Sequence, residues 1–169
     1  MQGISSKNNA KGAFAMLKNN KTQQGFTIIE VLIVLAIAGL MMLIVFMAVP
    51  ALQRNSRNTQ YKNDASALVT AATEFSNNNN GKVPVTADNS SIQSLAKTQS
   101  ITTLAISTGT TAVTPATTFD RGNIVTGVKC PTTVGGTSIT PVASATRSLI
   151  IVYAVENSSG GVVAQCLEG

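Results

Sequence analysis

Histidine and tryptophan are absent from this chain of 169 residues, which carries only two cysteines, two tyrosines and five phenylalanines. Lack of histidine removes the usual general base, most nucleophile–base triads and most zinc sites. Aromatics at 4% leave no platform on which single-stranded nucleic acid would stack. Acids are few as well. Beyond the first third of the chain they are Asp64, Glu74, Asp88, Asp120, Glu156 and Glu168, with no close pairing of the kind that acid–base chemistry uses. Metal spacings such as CxxC, nucleotide loops, calcium loops and internal repeats are also missing. The chain therefore reads as a non-enzyme without cofactor or metal.

Charge is present but unevenly placed. The formal net charge is +5, and Lys7, Lys11, Lys18 and Lys21 all precede Gly25 with no acid among them, so without that segment the net charge falls to +1. Arg54, Arg57, Lys62, Lys82, Lys97, Arg121, Lys129 and Arg147 are scattered and read as solvated charges rather than a phosphate-binding patch. Between Val31 and Val49 no side chain is polar. A helix of that length covers about 28 Å, close to the hydrocarbon thickness of a bilayer. Glu30 sits at the start of this run, where a carboxylate at membrane depth costs about 2.5–3.5 kcal/mol unless it finds a partner. The four lysines ahead of the span favour a cytoplasmic N-terminus, with the C-terminal part outside.

Gly25-Phe26-Thr27-Ile28-Ile29-Glu30, abutting the apolar run, resembles the class III signal of type IV pilins and related pseudopilins. The resemblance covers roughly Lys21 to Pro50. It implies that a prepilin peptidase cuts between Gly25 and Phe26 and methylates the new α-amine of Phe26. It also makes Glu30 the fifth residue of the mature chain, placed to meet the amine of Phe26 during assembly. A secretory signal would place its apolar region before the cut; here it follows, so the span is retained. The expected organisation is a cleaved cationic leader at 1–25, a hydrophobic half-helix at 26–50, an amphipathic half-helix at 51–80 and a globular head at 81–169. Met16 offers a second start that leaves a short leader. Gly39 weakens the helix and Pro50 removes a backbone donor. Two readings stand for that pair: a stretch between them that loses helicity in a filament, as the resemblance implies, or a simple kink at Pro50.

After Pro50, Tyr61, Ala65, Leu68, Ala72 and Phe75 recur at steps of four and three, the stripe of an amphipathic helix packed on a domain. One helix of about 50 residues is expected from Phe26 to about Asn77, with Gly81 as C-cap and Pro84 beyond. Val85 to Asp120, rich in Thr, Ser and Ala, reads as exposed loop with one or two short elements, among them a helix near Ile92–Lys97. Hydroxyl density over Thr98–Thr118 suits O-glycosylation, and Asn89-Ser90-Ser91 and Asn157-Ser158-Ser159 match the N-linked acceptor pattern. Strands are expected at Asn123–Lys129, Arg147–Val155 and Val162–Leu167, with Asn157–Gly161 as a hairpin loop. Cys130 and Cys166, an even pair beyond a single span, read as a disulfide in an oxidising space, with two free buried thiols as the alternative. Placed at the ends of the first and last of these strands, they resemble the disulfide-bounded loop of many pilins.

The expectation is an α+β protein with a long N-terminal helix, half of it a membrane span, packed on a small antiparallel sheet. The resemblance implies a structural subunit of a type IV pilus, held in the cytoplasmic membrane as precursor and polymerised as a helical homopolymer outside the cell for adhesion, twitching motility or DNA uptake. Its implied partners are copies of itself, the prepilin peptidase, the assembly platform and its ATPases, with a host-surface ligand or DNA left open. A secretion pseudopilin and a competence or minor pilin are the near alternatives. A surface receptor anchored by one helix is a remoter one, which leaves Gly25-Phe26 and Glu30 unexplained.

Overall fold

The computed structural model describes residues 25–115 and 118–169. The leader up to Gln24, with its lysines and both candidate starts, and part of the Thr98–Thr118 segment lie outside the described residues. Two compact units divide the chain, one ending at Met42 and the other running from Leu43 to Gly169. Helix α1 spans Ile28–Asn78, through both Gly39 and Pro50. It starts two residues later than expected. The first unit contributes only the lead-in Gly25–Thr27 and the apolar part of α1 up to Met42, and every described residue in it is exposed.

In the second unit α1 meets a sheet. Strands β1 (Thr103–Thr108), β2 (Arg121–Thr126), β5 (Leu149–Glu156) and β6 (Val162–Glu168) form one sheet in the order β1-β2-β5-β6, while β3 (Val128–Lys129) and β4 (Val142–Ala143) form a separate two-stranded ladder. Pairing is antiparallel except at β1 and β2, which are parallel. The expected run Asn123–Lys129 is split at Gly127, whose positive φ of 77° suits a residue without Cβ.

The helical stripe appears as expected: Ala65, Leu68 and Ala72 are fully buried, with Tyr61 and Phe75 packed at the margin. Against them lie Leu104, Ile106, Ile124, Leu149, Ile151 and Tyr153 on one face of the sheet. The opposite face has its own core, where Val125, Ile150, Val152 and Ala164 pack with Val113, Val128 and Ile139. β5 is therefore covered on both faces, which is why Leu149–Ala154 is apolar at every position instead of alternating. At Gly122 a Cβ would stand 3.1 Å from Ile151 Cδ1 and 3.2 Å from Ile101 Cγ2, so the core packs tightly over this strand position with little room for a side chain.

The segment 85–120 departs most from expectation. It holds a 3₁₀ turn at Thr86–Asp88, helix α2 at Asn89–Ala96 and strand β1, with Ile92, Ile101, Leu104 and Ile106 in the core. Asp64 on α1 anchors it: one carboxylate oxygen accepts the backbone N–H groups of Gln99 (3.2 Å), Ser100 (2.5 Å) and Ile101 (3.0 Å). Tyr61 stacks on Phe119 at 5.5 Å. α1 itself ends differently. Asn80 and Gly81 both take positive φ, and the Gly81 N–H reaches back to the Ser76 carbonyl at 2.7 Å, so Asn80 occupies the left-handed position expected of Gly81. Glycine suits position 81 all the same, because its φ of 76° is a conformation that a residue with Cβ rarely adopts.

Near its entry into the head, α1 grips the β5–β6 hairpin. The Asn58 carboxamide donates to the Glu156 carbonyl (2.8 Å) and accepts the Glu156 N–H (2.9 Å), as a residue of a neighbouring strand would. Arg57 pairs with the Glu156 carboxylate at 2.6 Å, a hydrogen bond that holds the guanidinium above its ordinary pKa. Arg54 donates to the Ser158 carbonyl at 2.6 Å. Two arginines that read as solvated charges thus belong to the packing of the head.

Candidate processing and assembly site

Gly25, Phe26 and Thr27 precede the first helical residue, so the Gly25–Phe26 peptide lies in non-helical chain. A peptide bond is open to a peptidase only where the backbone is not closed in a helix. At Gly25 an added Cβ would meet nothing within 4 Å, and the same holds at Gly39. The described fold makes no steric demand for glycine at either position. Phe26 is 84% exposed.

Thr27 sets where α1 begins. Its carbonyl accepts the Val31 N–H at 3.4 Å, its Oγ1 accepts the Glu30 N–H at 3.3 Å, and its hydroxyl donates to Glu30 Oε2 at 3.5 Å. Thr27 is thus an N-cap and Glu30 the third residue of the helix, the T-x-x-E spacing of a capping box, with the acid returning to the cap hydroxyl. A carboxylate in the first turn is also favoured by the helix dipole. Glu30 shares a shallow recess with Phe26, Val31, Val34 and Leu35. In a setting without water, its oxygens have Thr27 as their neighbour on the same chain. The T-x-x-E spacing is readable in the sequence, although the cap is not among the expectations for Glu30.

From Ile28 onward α1 is long and apolar enough to cross a membrane. Residues 20–46 match the family described as the prokaryotic N-terminal methylation motif. The chain carries that motif. Searches of curated proteins and of solved structures returned no match. The methylation motif is that of type IV pilin-like and pseudopilin proteins, so the resemblance seen in Gly25–Glu30 holds over that segment, and the motif together with the apolar helix fits a membrane-anchored precursor.

Beyond the methylation motif, Cys130 and Cys166 are joined by a disulfide with Cα atoms 5.9 Å apart, and no described cysteine is free. Cys130 follows β3, whereas Cys166 lies within β6 and not at its end. Next to the bridge, the Cys130 N–H is held by Glu168 Oε1 at 2.8 Å and the Ala164 N–H by the Gly136 carbonyl at 2.8 Å, so the loop after Cys130 covers the outer edge of β6. The two acceptor-pattern asparagines differ in their surroundings. Asn157 is held by its turn, its Oδ1 accepting from the Ser159 N–H, the Ser159 hydroxyl and the Gly161 N–H, and Asn89 opens α2 with its Oδ1 buried and without a hydrogen-bond partner among the described residues. Among the described residues no three metal-ligating side chains converge.

Proposed function

We propose that this chain is the major subunit of a type IV pilus. In this reading a prepilin peptidase cuts between Gly25 and Phe26 and methylates the Phe26 amine. The mature chain is stored in the cytoplasmic membrane by its apolar half-helix, with its head outside. Assembly by a platform and its ATPases then packs these half-helices into the core of an extracellular filament, where the Phe26 amine of one copy meets Glu30 of another.

The observation that carries the reading is the methylation motif set on an apolar helix whose every described residue up to Gln53 is exposed. So large an exposed apolar surface requires a bilayer or neighbouring helices to cover it. Gly39 and Pro50 are the proposed limits of a stretch that loses helicity on assembly.

Electron microscopy of filaments sheared from cells, with mass spectrometry of their content, tests the reading. Filaments built chiefly of this chain, beginning at N-methyl-Phe26, are expected. Its recovery only as a trace component of filaments made from another chain would assign it to a minor pilin or pseudopilin role instead. A mature chain beginning elsewhere would overturn the processing step.

A further inference from the structure

The hairpin that α1 grips lies close, along the chain, to where the apolar run ends. Val49 closes that run and Arg54 follows five residues later, about 7.5 Å along a helix. The polar headgroup layer of a bilayer is roughly 5–7 Å deep on each side. Leu52, 67% exposed, continues the apolar character to within two residues of Arg54. Arg54 binds the Ser158 carbonyl, so the exposed tip Ser158–Gly160 stands beside that arginine.

The donors at this place are unevenly used. The Arg57 charge is met by Glu156, whereas Arg54 has no carboxylate within ion-pairing distance among the described residues. Asn157 takes up the N–H and hydroxyl of Ser159 and the N–H groups of Gly160 and Gly161. The Ser158 N–H and hydroxyl donate to nothing among the described residues.

We propose that Arg54 and the Ser158 end of the hairpin form a contact for the phosphate of an anionic phospholipid headgroup, seating the head on the bilayer before assembly. The inference rests on α1 being a membrane span. An uncompensated cation on a long side chain and two open donors beside it, at the outer edge of the headgroup layer, suit a phosphate.

The test uses the full chain in nanodiscs of phosphatidylcholine alone or mixed with phosphatidylglycerol. Hydrogen exchange across residues 156–162 is read alongside resistance of the chain to carbonate extraction from vesicles of the same lipids. With phosphatidylglycerol, exchange at the tip should slow about fivefold. Arg54→Gln should abolish that difference, Arg54→Lys should keep it, and Lys82→Gln, beyond the far end of α1, should leave it intact. Equal exchange in both lipids with the chain inserted would overturn the headgroup contact alone. A chain released by carbonate would overturn the span and the contact together. The same slowing in pure phosphatidylcholine on adding inorganic phosphate would mean a free-anion site and defeat the lipid assignment.

Discussion

Asp64 holds three backbone donors with one oxygen, and its removal has a calculable cost. In Asp64→Ala the Gln99 N–H, at an exposed residue, recovers water, while those of Ser100 and Ile101 are partly buried and lose their acceptor. Stranding a buried donor costs about 1–3 kcal/mol. Two such groups, partly relieved by water entering where the side chain was, give about 2–4 kcal/mol. Asp64→Asn keeps an acceptor but loses its charge, and should cost about half as much. Equilibrium denaturation of the full chain in detergent, read by circular dichroism, measures the loss. Hydrogen exchange should locate it, with amides of residues 99–101 exchanging faster and that of Glu156 unchanged. An Asp64→Ala protein within about 0.5 kcal/mol of the parent would refute the anchoring role, since surface changes typically fall in that range.

Four further outcomes follow from the structure. If the proposed pairing of Glu30 with the Phe26 amine of another copy operates, Glu30→Val should leave expression, insertion and cleavage intact but stop or greatly reduce assembly, because breaking a buried charge pair costs about 3–5 kcal/mol; normal numbers of filaments made only of the mutant would refute the pairing. Gly122→Ala should destabilise by about 1–3 kcal/mol through overpacking against Ile151 and Ile101, seen as a lower denaturation midpoint. Reducing the Cys130–Cys166 bridge, which closes a separation of 36 residues, should cost about 4 kcal/mol, as read by denaturation with and without reductant. Burial pushes the Tyr153 phenol above its ordinary value of 10.0. Folded protein therefore holds that proton where unfolded chain releases it, so the contribution is full below pH 10 and is lost as pH rises through the folded value; a midpoint that rose above pH 10 would contradict this.

The long elements were legible because their signals are local. The apolar run, the stripe from Tyr61 to Phe75 and the β-branched Leu149–Val155 each report burial within a few residues of chain. Strand β1 was not. Thr103–Thr108 holds two large apolar residues among Thr, Ser and Ala, and its place at the sheet edge comes from the parallel partner β2 and from Asp64, 35 residues and more upstream. Asn58, Asp64 and Arg54 could not be recognised for a related reason. A polar side chain on a helix reads as solvated until the fold shows which backbone it faces. The Thr27–Glu30 cap is different: its spacing is local, and a reading that asked only what neutralises Glu30 passed over it.

The grip of α1 on the hairpin also defines a path for mechanical load. Tension drawn along the helix from its N-terminal side reaches the head first at Arg54, then at Arg57 and Asn58, and so pulls on the closed end of β5 and β6. Peeling that starts at the turn can free only Val162 to Gln165 of β6 before it meets Cys166, which is bonded to Cys130. Cys166 is tied to the loop that follows β3, so a peel that passes Gln165 must draw that loop with it and cannot free the end of β6 alone.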